Sequence, residues 1–333
     1  MSLLKGRMPK TYYEVKKFLK HQKEMDALYQ EQLALNKGKQ VQYWNWWPDE
    51  RTAYWLEQFM LNRGLLKNTE KTIALCSVFG EREVLKSVKA DVRIFFSGEN
   101  LHNPRHAQYA DYMLSGNNPF DFAMGFDEFE NERYLRFPLW IIFLFEPDAT
   151  EDDIRNRCEE LNHPEISNKQ EFCSLVARAD WYGIRTQIYE GLSSIGKVDC
   201  PSDLLHNDDR MKTIYSDDKR AYLKQCRFNI CPENTSAHGY VTEKLFESMV
   251  CGCVPIYWGT ENLDIINPDV VLRWKKNEPN EELLQKIQEL NADEKKYSAF
   301  ASQHRLIDNA AAYVIGEFEA LEKQLRKLLW CHH

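Results

Sequence analysis

The chain is expected to fold as a two-domain α/β protein, each domain built on a parallel sheet. Three observations predict this. Its 333 residues, 43% of them hydrophobic, exceed what one core ordinarily organises, since domains run to about 100–200 residues. Short β-type apolar runs alternate with helix-type segments in both halves, and that alternation builds parallel sheets covered by helices. Between the halves the pattern pauses in a polar stretch, Asp148 to Gln170, just after Phe145-Glu146-Pro147. Such a composition shift marks a domain junction, which places an N-terminal domain at residues 1–155 and a C-terminal domain at 156–333.

The elements follow in order. Residues 8–37 are charged and helix-forming, with Phe18, Leu19, Met25 and Leu28 at loosely helical spacing, and read as a leading helix packed on the outside. Val41 to Trp47 is an aromatic strand that stops at Pro48-Asp49, a helix-start signal, and Thr52 to Leu61 continues as a helix. Thr72 to Phe79 and Val92 to Phe96 have the composition of buried strands, the second running into Ser97-Gly98-Glu99-Asn100. Arg105 to Leu114 reads as a helix and Phe120 to Gly125 as a short strand. Beyond the junction come a strand at Phe172 to Ala177, a helix at Trp181 to Ser194 and a helix at Asp217 to Gln225. A strand at Arg227 to Cys231, a helix at Tyr240 to Cys251 and a strand at Val254 to Trp258 succeed them. Helices near Glu281 to Leu290 and Asp308 to Leu329 close the chain.

Composition excludes several classes. A mean hydropathy of −0.59 rules out a multi-span membrane protein. The longest apolar run, Leu139 to Phe145, has only the length of a strand. A formal net charge of −8 disfavours a protein-wide nucleic-acid footprint. The start of the chain lacks the apolar core of a secretion signal. Nine cysteines without a CxxC pair are then expected to be reduced, mostly buried thiols of a cytoplasmic protein, with a disulfide-bonded secreted domain as the alternative. The final segment, Glu317 to Trp330, forms an amphipathic helix bearing Lys323, Arg326 and Lys327. Such a helix is expected to pack back on the N-terminal domain or to touch a membrane surface peripherally.

The densest chemistry lies between Cys226 and Gly259. It reads as a strand, a Pro/Asn/Gly loop and a helix opening near Gly239. Backbone N–H groups at a helix start suit a diphosphate. On that helix Tyr240, Glu243, Lys244 and Glu247 share one stripe. Lys244 is then placed for a phosphate and Glu243 for a pair of sugar hydroxyls, the alternative being an ordinary solvated helix face. Neither a GxGxxG nor a P-loop pattern is present.

The same residues carry a resemblance. Phe228-Asn229-Ile230-Cys231-Pro232-Glu233-Asn234-Thr235, Gly239-Tyr240-Val241-Thr242-Glu243-Lys244-Leu245 and Val254-Pro255-Ile256-Tyr257-Trp258-Gly259 resemble the signature of the α-1,3/4-fucosyltransferases, glycosyltransferase family 10. Tyr43 to Asp49, Phe96-Ser97-Gly98-Glu99-Asn100, Gly125-Phe126-Asp127-Glu128 and Arg133 to Leu139 are similar to its bacterial members, so the likeness spans about residues 41 to 265. The resemblance implies a GT-B fold, two Rossmann-like domains facing across a cleft. It implies transfer of L-fucose from GDP-fucose to a hydroxyl, O3 by expectation, of N-acetylglucosamine or glucose in an oligosaccharide acceptor.

By motif position, Arg185, Asn234, Tyr240, Glu243 and Lys244 match the family's donor-binding residues and Glu99 its general base. Trp46, Trp47 and Phe126 lie where the family holds its acceptor. The donor is β-linked and the product α-linked, so the reaction inverts and asks for one base on the acceptor side. No metal or other cofactor is expected, because Arg185 and Lys244 supply the cations that GT-B enzymes set against a departing diphosphate. A transferase for another sugar nucleotide, or a binding protein that has lost catalysis, remain the alternatives.

Overall fold

A computed structural model describes residues 10–47, 54–67, 69–113 and 118–330. The chain divides into two compact units. One comprises the chain up to Met124, Asn131–Tyr134 and the end from Leu325; the other comprises Gly125–Glu130 and Leu135–Gln324. The helix start expected at Pro48-Asp49 and the thiol of Cys331 lie outside the described residues.

The first sheet runs in sequence order, β1 (Val41–Trp44), β2 (Ile73–Cys76), β3 (Val92–Phe96), β4 (Phe122–Gly125), β5 (Tyr134–Arg136). The pairs from β1 to β4 are parallel, with Ile73 opposite both Val41 and Val92, and Ile94 opposite Phe122. Every residue of β2 and β4 is buried, as strands covered on both faces require. The leading helix, α1 (Lys10–Asn36), guards the β1 edge with amides. Asn36 exchanges hydrogen bonds with the backbone of Tyr43, and Gln32 accepts from the Asn45 amide and donates to the Asn45 side-chain oxygen. This satisfies edge groups that would otherwise invite another strand. Phe18 and Leu19 stay exposed, and beside these amides the apolar part of the anchoring comes from Tyr29, stacked on Trp44.

The helix α2 (Trp55–Asn62) buries Trp55, Leu56, Phe59 and Met60, and the short α3 (Arg82–Lys86) follows β2. The segment read as a helix from Arg105 narrows to a 3-10 turn, Ala107–Tyr112, that buries Tyr109 and Tyr112.

Two segments differ from their sequence reading. Leu139–Leu144 is a helix, α4, with Trp140, Ile141 and Leu144 buried. A short run that is apolar on every side has no periodicity to distinguish a buried strand from a buried helix. The polar stretch after it contains α5 (Glu151–Asn162), opened by a reciprocal capping box between Thr150 and Asp153. Such a cap stabilises a helix by about 1 kcal/mol. Only Ile154, Cys158 and Leu161 are buried in it, and that thin stripe is masked by its charges.

The second unit carries strands β6 (Glu171–Ser174), β7 (Val198–Asp199), β8 (Cys226–Ile230), β9 (Val254–Tyr257) and β10 (Leu272–Arg273). They are ordered β7-β6-β8-β9-β10 and each adjacent pair is parallel. Around them lie α6 (Ile184–Ser193), α7 (Arg210–Thr213), α8 (Lys219–Leu223), α9 (Glu243–Val250), α10 (Glu281–Ala292), α11 (Glu294–Ala301) and α12 (Ala310–Trp330). The core joins Cys173 and Phe228 of the sheet to Ile188 and Leu192 of α6 and Ile287 of α10.

The eight described cysteines are buried, unpaired thiols. Desolvation raises those of Cys173, Cys226 and Cys253, leaving them protonated. No helix among the described residues is long and apolar enough to cross a membrane. The apolar stripe of α12, from Val314 through Phe318, Leu321 and Leu325 to Leu329, is buried. In its last turns Lys71 donates to the Leu328 carbonyl and Trp330 to that of Leu65.

Candidate functional site

In the second sheet β6 lies between β7 and β8, so the strand order reverses beside it. Ligands of open α/β sheets bind outside the carboxyl ends of the strands at such a reversal. Both strands that flank it deliver polar residues there, and Ser174 donates to the Asn229 side chain (3.0 Å), tying their ends together. After β6 the chain enters α6 through Gly183, whose left-handed φ of 74° suits glycine. That turn places Arg185 in the first turn of the helix. The Arg185 side chain donates to the Ala179 carbonyl (2.9 Å) and to Asn234 Oδ1 (2.7 Å), so the loop after β6 and the loop after β8 meet on one guanidinium. Arg185 is 8% exposed. Burial pulls its pKa below the ordinary value, and Asp180, Glu233 and Glu243 oppose that. A guanidinium stays charged through such a shift. The result is a desolvated cation beside a loop.

Glu233, next to Asn234, is fully buried. It accepts from the Thr242 amide (2.8 Å) and hydroxyl (2.7 Å) and faces Lys244 Nζ at 3.3 Å. Lys244 Nζ also donates to Thr242 Oγ1 (2.9 Å) and lies 3.3 Å from Glu243 Oε1. Burial pushes the Glu233 carboxyl above its usual value, with Lys244 and Thr242 pulling back. For Glu243 burial again acts upward, but Lys244 and the helix-start amide prevail and hold it below the usual carboxylate value. The cluster is thus one lysine between two carboxylates at the start of α9.

The helix begins later than its sequence suggests. Thr242 is its N-cap and Glu243 its first residue, so Tyr240 precedes the helix and does not share the stripe of Glu243, Lys244 and Glu247. Gly239 turns the chain with a φ of 72°, and Thr242, extended at φ −111° and ψ −168°, interrupts helical geometry between Tyr240 and Glu243. The extended Thr242 then hands its amide to Glu233. Tyr240 is buried with its ring 5.0 Å from that of Phe126. Glu247 faces Lys219 and Arg220 instead.

In the first unit a second group gathers at the carboxyl ends of β1, β2 and β3. Trp47 lies 5.2 Å from Phe79 and 5.3 Å from Phe96, and Trp46 meets Trp47 edge-on at 6.1 Å. Both tryptophans are half-buried. Trp44 is fully buried, stacked on Tyr29 at 5.3 Å, and serves the core. Glu99 is half-buried three residues beyond β3. Its backbone is held by the Ser97 hydroxyl, which accepts from the Glu99 amide at 3.1 Å.

Family models match both parts of the chain. An α-(1,3)-fucosyltransferase FucT N-terminal domain matches residues 41–143, and a glycosyltransferase family 10 (fucosyltransferase) C-terminal domain matches residues 166–332. The chain belongs to glycosyltransferase family 10. The α-(1,3)-fucosyltransferase FucT of Helicobacter pylori is 27% identical over 255 residues, covering 66% of this chain and 50% of that protein. The chain therefore spans about half the length of that curated relative. A crystal structure of an α1,3-fucosyltransferase superposes with a TM-score of 0.55 at 23% identity, covering 85% of this chain and 89% of that one. The same enzyme type solved with GDP-fucose gives 0.52 at 22% identity, covering 84% and 89%. These likenesses establish the fold, GT-B with two Rossmann-like units.

For this family 10 member the structure gathers Arg185, Asn234, Glu243 and Lys244 at the reversal of the second sheet, with Tyr240 in the turn before α9. Trp46 and Trp47 pack at the strand ends of the first, and Glu99 follows the end of β3 there. Phe126 lies in the second unit, with its ring against that of Tyr240. Sequence reasoning missed Glu233. Its one available signal was an acid directly after the Cys231-Pro232 end of a buried strand, where a carboxylate must find a partner. Among the described residues no group of three His, Cys, Asp or Glu side chains is placed to hold a metal ion.

Proposed function

We propose that the chain transfers L-fucose from GDP-β-L-fucose to O3 of an N-acetylglucosamine or glucose unit in an N-acetyllactosamine-type acceptor, giving an α-linked, Lewis-type glycan. The observation that carries this reading is the Arg185–Asn234 and Lys244–Glu243 arrangement at the sheet reversal of a family 10 chain. Its cations suit a diphosphate and its half-buried Glu243 suits ribose hydroxyls. The step is one displacement. The acceptor oxygen bonds to the anomeric carbon as the bond from that carbon to the β-phosphate oxygen breaks. Glu99 takes the acceptor proton, and GDP leaves with the electron pair. Arg185 and Lys244 stabilise charge where it builds on the leaving group. With those cations supplied by the protein, turnover is expected to persist in EDTA.

The test is a mass-spectrometric transfer assay with GDP-fucose and N-acetyllactosamine. A product heavier by one fucosyl residue supports the reading. Turnover of GDP-mannose alone would shift the assignment to another sugar nucleotide, and GDP binding without turnover on any acceptor would make the chain a binding protein.

A further inference from the structure

Arg136 lies in the Arg133 to Leu139 motif, and the mechanism above leaves it unused. It is a nearly buried arginine at the end of β5, its side chain 15% exposed, paired with an Asp264 side chain that is 3% exposed. Its Nη1 donates to the Tyr313 hydroxyl (2.6 Å) and its Nη2 to Asp264 and to the Gly239 carbonyl (3.4 Å). Asp264 is held in turn by the Trp140 indole (2.7 Å), and Trp140 stacks on Phe246 of α9 at 4.8 Å.

Gly239 is therefore gripped at both backbone groups, because its amide donates to Thr260 Oγ1 (3.1 Å). A Cβ at this position would lie 3.3 Å from Arg136 Nη2 and from the Phe126 carbonyl. A side chain there would crowd both neighbours, and the left-handed backbone also disfavours one. A buried ion pair is seldom worth more than apolar residues of equal volume. What this pair adds is direction, a fixed donor aimed at one carbonyl. The residue after that carbonyl is Tyr240.

We propose that Arg136 is a positioning residue for donor binding, holding the Gly239 turn so that Tyr240 and the start of α9 keep their binding geometry. The inference rests on the donor-site reading above. It extends that reading to a residue that touches no substrate.

Arg136→Lys keeps the charge but loses the two-pronged donor. The expected result is faster amide hydrogen exchange confined to residues 238–242, with GDP bound about tenfold more weakly and the melting temperature little changed. Tyr313→Phe, which removes one acceptor and spares the ion pair, should act in the same direction more weakly. In a Tyr240→Ala background, Arg136→Lys should add almost nothing to the loss of GDP affinity.

Unchanged exchange at 238–242 overturns the clamp itself. Full additivity with Tyr240→Ala shows that Arg136 does not act through this turn and likewise overturns it. Faster exchange with unaltered GDP affinity in both Arg136→Lys and Tyr240→Ala overturns the donor role and locates the failure in the donor-site reading.

Discussion

The two sheets of this protein are built from similar strands in different orders, and they end in different chemistry. The first runs β1 to β5 in sequence, while the second reverses between β6 and β8. Where the order reverses, two loops are splayed apart at adjacent strand ends, and polar side chains from both converge. Arg185 and Asn234 are the result. The sequential sheet has no such reversal, and its strand ends carry the half-buried Trp46 and Trp47 beside Phe96, with the carboxylate of Glu99 beyond. Under the proposed function, topology separates the labour. One unit concentrates desolvated charge, suited to an anionic nucleotide, and the other presents aromatic faces and an acid, suited to a neutral sugar and its proton.

Variants that separate binding from chemistry put this contrast at greatest risk. Glu99→Gln should lower transfer by about a thousandfold, the middle of the range for losing a general base, while GDP affinity by calorimetry stays as in the parent. Near-normal turnover would remove Glu99 from the mechanism. Arg185→Ala should do the opposite, weakening GDP about a hundredfold through the loss of charge-assisted hydrogen bonds in a desolvated site. Arg185→Lys should recover little of that, since an ammonium cannot span both the Ala179 carbonyl and Asn234. Loss of GDP binding in the first variant, or its retention in the second, would mean that the units do not divide the work in this way.

The sequence was most informative where local rules suffice. Alternation of apolar runs and helical segments marked both sheets, and the motif resemblance singled out Arg185, Asn234, Glu243 and Lys244, which fold into one neighbourhood. It was least informative where burial decides. Glu233 looks like any loop acid until the Thr242 amide and Lys244, nine and eleven residues on, close over it. Arg136 and Asp264 are 128 residues apart and meet only in the folded chain. Leu139 to Leu144 could not be typed because it is apolar on all sides. The α9 start was misplaced because the extended Thr242 separates Tyr240 from the helix, and spacing alone carries no backbone angles.

The polar character of the second unit should also be visible in its response to pH. Burial pushes the Glu317 carboxyl up to about 7 from an ordinary 4.5, against the pull of Arg136. An acid whose pKa is raised on folding is protonated in both states at low pH. As pH rises from about 4.5 to about 7 the unfolded chain ionises first, so the group costs stability that is not regained above that window. Glu317→Gln should therefore stabilise the protein at pH 8 by about 2 kcal/mol and leave it nearly unchanged at pH 4. Denaturant melts at the two pH values measure this. Equal stability of parent and variant at pH 8 would show that Glu317 ionises freely.

The smallest expected effect bears on the first unit. Trp47 touches Phe79, which is 37% exposed, and Phe96, which is fully buried, so one face of its ring is committed to packing. If the remaining exposed surface stacks on an acceptor sugar, Trp47→Ala should raise the acceptor KM about fivefold and leave the donor KM untouched. A purely structural tryptophan would lower the melting temperature and the yield of active enzyme, with both KM values constant. Trp47→Phe separates the two further. It keeps an aromatic face for the sugar but leaves a gap beside Phe96, so acceptor KM should recover while stability does not. Recovery of stability without recovery of KM would take Trp47 out of the acceptor site and leave Trp46 and Glu99 as the first unit's candidate contacts with the acceptor.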